Sequence, residues 1–290
     1  MNFMSLPDEY AGKESKYAIL PVAFEGDVTY GKGASKGPIQ IIKASKHLEY
    51  YDEQYKSEPF ENGIELLKEI TAKSNKEIVK NIQEAYPNRF TITLGGDHTT
   101  TIGAVKGAQK YNKDFSVLIF DAHSDLRDSW NNSQVNHACV AKQVSKNHNV
   151  TIVGVRSQDK DEVDTKPDDV NIIYAHELLK TPIKTILKTL KEKVYISIDV
   201  DFFDPSFIRY TGTPEPGGFF WNDLIPILEQ VAKNHNIIGA DIVEFAPQGE
   251  ESNYRSEAYS LAKLCYKILA LKEKYNEWRR DDWRSRWTRQ

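Results

Sequence analysis

Seven short apolar, β-branched runs, at residues 17–20, 90–94, 116–120, 150–155, 170–173, 194–198 and 237–242, constrain this chain more than any other feature. They lack the polar alternation of a half-exposed strand, so they read as strands covered on both faces. Segments with helical spacing separate most of them, at 64–86, 101–110, 139–144, 178–190, 224–231 and 256–271. Alternation of this kind predicts an α/β fold: a mainly parallel sheet with helices on both sides, in three α-β-α layers. Pro38, after Gly37, suits the first turn of a helix running into Ile41 and Ile42. The 290 residues contain no repeat at solenoid periods and no low-complexity linker, so one domain over 1–275 with a tail at 276–290 is the economical division.

Composition removes several classes of function. With 40% hydrophobic and 28% charged residues, the chain is neither disordered, collagen-like nor membrane-embedded. No stretch approaches the roughly 20 apolar residues of a membrane span, and the first thirteen residues carry Asp8, Glu9 and Lys13 in place of a signal-like apolar run. The expectation is a cytoplasmic protein with no membrane partner. Acidic residues number 42 against 38 Lys and Arg, a formal net charge of -4, so no nucleic-acid footprint is visible and a cationic ligand is tolerated. Cys139 and Cys265 are too few for a disulfide framework or a thiolate zinc cluster and are expected as buried thiols.

In open parallel sheets, ligands bind just beyond the carboxyl ends of the strands, and here those positions are polar. Leu94 is followed by Gly95-Gly96-Asp97-His98, Phe120 by Asp121-Ala122-His123-Ser124-Asp125, Ile198 by Asp199-Val200-Asp201, and Val243 by Glu244. Extended strand ends would turn Asp121, His123 and Asp125 to one side, and Asp199 with Asp201 likewise. Four carboxylates gathered with the imidazoles of His98 and His123 would repel strongly without cations. Two divalent ions balance them, and oxygen-rich ligation with some imidazole favours manganese, magnesium or iron. The set therefore predicts a binuclear metal site. Asp97 has a simpler reading as the cap of a helix starting near Thr99, and Asp204-Pro205 as a turn.

These motifs, Gly95-Gly96-Asp97-His98, Asp121-Ala122-His123-Ser124-Asp125 and Ser197-Ile198-Asp199-Val200-Asp201-Phe202-Phe203-Asp204-Pro205, resemble the three signatures of the arginase/agmatinase ureohydrolase family. Support comes from residues 31–45, from Gly154-Val155-Arg156-Ser157, from the 211–218 loop and from Asp241-Ile242-Val243-Glu244. The resemblance implies an arginase/deacetylase-like fold and two Mn2+ per subunit. One ion would be held by His98, Asp121, Asp125 and Asp199, the other by Asp121, His123, Asp199 and Asp201, with Asp121 and Asp199 bridging. It also implies that Glu244 binds the guanidinium and that His137, in Val135-Asn136-His137-Ala138, shuttles protons. Asp125 would pass a proton to the leaving amine. The plainer reading of His137 is a histidine at a helix start.

For substrate, Leu126-Arg127-Asp128-Ser129-Trp130 and the Pro214-Glu215-Pro216-Gly217-Gly218 loop resemble agmatinases, which implies hydrolysis of agmatine to putrescine and urea. Asp128 or Glu215 would accommodate the distal amine. Arg127 facing the pocket would favour a carboxylate tail, as in guanidinobutyrate, whereas pairing with Asp128 would remove that objection. Guanidinobutyrate, aminopropylagmatine or arginine are the alternative substrates. A deacetylase-like enzyme using one zinc would lack the second-metal set of His98, Asp125 and Asp201, and a non-catalytic binding protein would not need every ligand kept. The tail 276–290, with five Arg against three acids and Trp278, Trp283 and Trp287, suits a subunit contact or nucleic acid; on an acidic chain the subunit contact is favoured, and the family's trimers and hexamers imply a homo-oligomer.

Overall fold

The computed structural model describes residues 2–277. Its strands are β1 (Tyr17–Pro21), β2 (Ile64–Leu66), β3 (Phe90–Leu94), β4 (Phe115–Phe120), β5 (Val150–Val155), β6 (Val170–Tyr174), β7 (Lys193–Asp199) and β8 (Asn236–Val243). They form one sheet in the order β2-β1-β3-β8-β7-β4-β5-β6, with every pairing parallel. The helices are α1 (Gly37–Ser45), α2 (Asn75–Ala85), α3 (Thr99–Gln109), α4 (Val140–Ser145), α5 (Lys160–Asp164), α6 (Ala175–Leu178), α7 (Ile183–Leu187), α8 (Trp221–Asn234) and α9 (Glu251–Lys272). The single-domain three-layer fold expected from the sequence is the fold observed. No helix among the described residues is long and apolar enough to cross a membrane.

The two apolar layers follow from the two-residue period of the strands. Along β4, Phe115, Val117 and Ile119 join one cluster with α2, α3 and α4, whereas Leu118 and Phe120 join the other with α8 and α9. Both faces are therefore covered, which is why the strand sequences are continuously apolar.

All seven predicted strands are present to within one residue at either end, but two helical predictions need correction. The segment 64–86 opens as a strand, β2, whose Ile64, Glu65 and Leu66 pair with Tyr17, Ala18 and Ile19 of β1. The helix begins only at Asn75, capped by the Ser74 side chain accepting from the Glu77 amide. The segment 178–190 is split into α6 and α7, with Pro182 immediately before the second helix, where it can donate no backbone hydrogen bond.

After β3 the chain re-enters the sheet at β4, leaving two positions that β7 and β8 fill later. The loops at the carboxyl ends of β3, β8, β7 and β4 consequently meet over the centre of the sheet.

Candidate metal centre

The loop after β3 depends on glycine. A Cβ on Gly96 would lie 1.7 Å from the Phe24 carbonyl oxygen, so no side chain fits where the two backbones cross. Asp97 then spends its oxygens on backbone amides, Oδ2 on Gly26 at 2.6 Å and Oδ1 on Thr99 at 3.1 Å. It anchors and caps. His98 follows immediately before α3, fully buried, with its ring reaching β7 and β4.

The His98 tautomer follows from its neighbours. Asp241 of β8 is buried and accepts from Ser197 Oγ at 2.6 Å, Thr101 Oγ1 at 3.1 Å and Tyr195 OH at 2.9 Å. An ionised carboxylate only accepts, so the single Ser197 hydrogen goes to Asp241. The Ser197 oxygen, 3.2 Å from His98 Nε2, is left to accept from that nitrogen. His98 Nδ1 is the atom aimed at the carboxylates.

Around that nitrogen, Asp125 Oδ2 lies at 3.0 Å, Asp121 Oδ2 at 3.2 Å and Asp199 Oδ2 at 3.4 Å. His123 Nδ1 lies 2.8 Å from Asp201 Oδ2 and 3.7 Å from Asp121 Oδ1. Two donor trios result, His98 with Asp121 and Asp199, and Asp121 with His123 and Asp201, and Asp121 belongs to both. The other oxygens are oriented by backbone amides: His123 donates to Asp121, Ala122 to Asp201, and Asp201 to Asp199. The spacing of two residues expected from extended strand ends is not the geometry found. Asp125 reaches the cluster through left-handed backbone at φ 49°, and Asp201 lies in a 3-10 turn, Val200–Phe202. Turns, rather than the strand period, gather these side chains.

Charge balance shows what the cluster lacks. Burial opposes protonation of His123, yet Asp201 and Asp121 outweigh it and drive the ring up to about 12. His98 is likewise raised well above its ordinary value, burial being overcome by Asp121 and Asp125. Burial and the Asp121 charge push Asp125 up to about 7, and burial with the Asp201 and Asp121 charges raises Asp199 well above the carboxylate range. Asp121 is burdened by burial but held below its usual value by His123 and His98. Each shift has the same cause, buried carboxylates set close together, which favours positive charge among them.

Divalent cations fit that need. His98 Nδ1 and Asp121 Oδ2 are buried, 3.2 Å apart, and make no hydrogen bond, so both point into shared space rather than at each other. Donors bound at about 2.1 Å to an octahedral ion are about 3 Å apart along an edge, close to the separations seen here. Carboxylate oxygens with two imidazoles are a donor set for manganese, magnesium or iron.

Glu244 lies at the same floor. Its backbone is left-handed at φ 65°, its amide donates to the Gly96 carbonyl at 2.7 Å, and its side-chain Oε1 accepts from the His98 amide at 2.7 Å. Burial, then the Asp97 charge, raises its pKa well above the ordinary carboxylate. His137 also lines the pocket, in a 3-10 turn, His137–Cys139, capped by Asn136. Its Nε2 lies 2.8 Å from Thr29 Oγ1, and burial followed by the charges of His98 and His123 lowers it to about 4.

The pocket has a volume of about 290 Å3 and brings together His98, His123, Asp125, His137, Asp199, Asp201 and Glu244 with Arg127 and Glu215 of the proposed substrate contacts. Asp128 is not among the lining residues: its exposed carboxylate pairs with Lys142 at 3.1 Å. Arg127 pairs with Asp159 and not with Asp128, and stacks 4.7 Å over the Trp130 ring. Glu215 Oε1 stands 3.8 Å from His123 Nε2.

Several residues were not visible as site residues in the sequence. Buried Glu162 of α5 accepts from Ser124 Oγ, the Leu126 amide and the Asp159 amide, tying the ligand loop to the start of α5. Its signal was the Asp159-to-Glu162 capping spacing. Arg156 donates to the carbonyls of Asp201, Glu215 and Pro216, among others, and so pins the 201–203 turn to the 211–218 loop. Both cysteines are buried and free.

A family profile described as the arginase family matches residues 15–270. The N(1)-aminopropylagmatine ureohydrolase of Thermococcus kodakarensis is 33% identical over 270 residues, 89% of this chain and 92% of that one. The agmatinase of Pyrococcus horikoshii is 33% identical over 269 residues, 89% and 93% of the two chains. The solved agmatine ureohydrolase of Thermoplasma volcanium superposes with a TM-score of 0.81 at 28% identity, covering 90% of this chain and 91% of its own.

Proposed function

The chain belongs to the arginase family as an agmatinase-like ureohydrolase, and we propose that it hydrolyses agmatine to putrescine and urea with two Mn2+ held by His98, Asp121, His123, Asp125, Asp199 and Asp201. The observation that carries this reading is the convergence, on one pocket floor, of two His/Asp donor trios with the carboxylate of Glu244. Bound there, two divalent ions would neutralise the carboxylates and would supply an activated water nucleophile.

The chain's own residues do the rest. Glu244 has Oε1 fixed by the His98 amide, which leaves Oε2, facing the loop beside Gly212, to take guanidinium N–H donors by charge-assisted hydrogen bonds. The anchor it shares with a ligand residue sets the guanidinium carbon at a fixed offset from the metal cluster. Asp125, whose Oδ2 lies 3.0 Å from His98 Nδ1 on the pocket lining, is placed to carry a proton to the departing amine, and His137, with Nε2 2.8 Å from Thr29 Oγ1, to relay protons between that amine and solvent.

The reaction follows from the shared guanidinium, whereas the tail decides the substrate. Aminopropylagmatine is the second reading, favoured by the relative named for it at 33% identity. Cytoplasmic location and self-association belong to the same proposal; most of the tail 276–290, to which the subunit contact is assigned, lies outside the described residues. Urea release with manganese from agmatine, aminopropylagmatine, guanidinobutyrate and arginine tests the assignment. Agmatine or its aminopropyl derivative is expected to give the highest kcat/KM, and preference for arginine would overturn it.

A further inference from the structure

Thr29 reaches the pocket from the segment between β1 and α1, far in sequence from the donor cluster. It is exposed, and its Oγ1 stands 2.8 Å from His137 Nε2. Each side of that contact is held in place without the other. On the first side the Gly26 amide donates to Asp97 Oδ2 at 2.6 Å, the Gly31 amide to the Gly212 carbonyl at 2.9 Å and the Gly33 amide to Glu25 Oε1 at 2.8 Å. Residues 27–30 are thus strung between fixed points. On the second side Asn75 Nδ2 donates to the Val135 carbonyl at 2.7 Å, and Asn136 caps the His137 turn through the Ala138 amide. Asn75 also braces the two segments against each other, because a Cβ on Gly26 would lie 2.3 Å from Asn75 Oδ1.

The two ring nitrogens of His137 have different surroundings. Nε2 meets the exposed Thr29 hydroxyl, whereas Nδ1 is buried and makes no hydrogen bond among the described residues. A hydroxyl both donates and accepts, and its hydrogen turns to suit. It can accept from a protonated Nε2 and, after turning, donate to a bare one.

We propose that Thr29 is the positioning residue of His137: its hydroxyl fixes the ring and carries protons between Nε2 and solvent, which leaves Nδ1 for the departing amine. The inference rests on the ureohydrolase reading and on the relay given there to His137. In the outward step the Nε2 proton passes to Thr29 Oγ1 while the hydroxyl's own proton passes to a solvent water. One proton leaves, and the hydroxyl is regenerated. Removing the hydroxyl breaks this transfer without touching the donor cluster or Glu244.

Urea release from agmatine by the manganese-loaded wild type, Thr29→Ser, Thr29→Val, His137→Asn and the combined Thr29→Val/His137→Asn variant gives kcat and KM. Valine keeps the shape of threonine without its hydroxyl. Thr29→Val is expected to lower kcat about tenfold, the scale of one hydrogen bond, with KM little changed, and Thr29→Ser to keep the wild-type value. Because Thr29 acts through His137, adding Thr29→Val to His137→Asn should cost nothing further. A second readout does not depend on activity. The ring nitrogen-15 resonances of His137 in the metal-free protein, identified by their loss in His137→Asn, should shift in Thr29→Val and stay in place in Thr29→Ser. Wild-type kcat in Thr29→Val, an equal loss in Thr29→Ser, a further loss in the combined variant, or unmoved resonances in Thr29→Val would each overturn the inference. A wild type that releases urea from no guanidine would instead remove the functional reading, and the inference with it.

Discussion

Glu244 is the residue at which position and charge can be separated. Glutamine keeps an oxygen for the His98 amide but carries no charge for the guanidinium. Glu244→Gln is therefore expected to lower kcat/KM for agmatine about ten- to a hundredfold, the value of a hydrogen bond to a charged group, measured by urea release. Stability should move the other way. The folded pKa lies above the ordinary carboxylate value, so the folded state holds its proton to higher pH than the unfolded chain. The ionised group thus weighs against the metal-free fold as pH rises above the ordinary value of 4.5. At neutral pH the metal-free variant should melt no lower than wild type. At this scale the sequence was most informative about which side chains gather: His98, Asp121, His123, Asp125, Asp199 and Asp201, which the structure brings together, stand out by polarity after apolar runs. It was least informative about Arg127, whose partner at position 159 no local spacing points to.

Among the elements, β7 and β8 have a role that extends beyond packing. Their parallel register sets Ser197 opposite Asp241, and the hydroxyl between Asp241 and His98 fixes which ring nitrogen faces the metal centre. Asp241→Asn offers an amide in place of one accepting oxygen and disturbs that orientation. Manganese affinity is expected to fall about ten- to a hundredfold, as for other partners of ligating histidines, with a titration of metal binding as the readout. Affinity equal to wild type would show that the ring is held by packing alone. Element boundaries were legible where side chains had one plausible environment. The continuous apolar runs became strands because both faces are covered. The 64–86 segment misled because Ile64, Leu66 and Leu67 lie beside good helix formers, while a three-residue edge strand depends on pairing with β1 some 45 residues away, and the signals at Ser74 and Glu77 were local and small.

For the whole molecule, Asp121, Asp125 and Asp199 crowd within 3.4 Å of one imidazole nitrogen, so a bound cation is expected to relieve carboxylate repulsion in the native state. Adding manganese to metal-free protein should raise the melting temperature, levelling off at two ions per chain by elemental analysis. Saturation at one tightly held zinc would contradict the binuclear site. The sheet order has a further consequence, for what holds the site together. Among the described residues β2, β1 and β3 form one strip, β7, β4, β5 and β6 another, and β8 is the only strand that touches both. His98 stands on the first strip and the aspartates on the second, while Glu244 arrives with the joining strand itself. Every residue of the donor cluster therefore precedes β8 in the chain, yet the two strips that hold them are joined in the sheet only through that later strand.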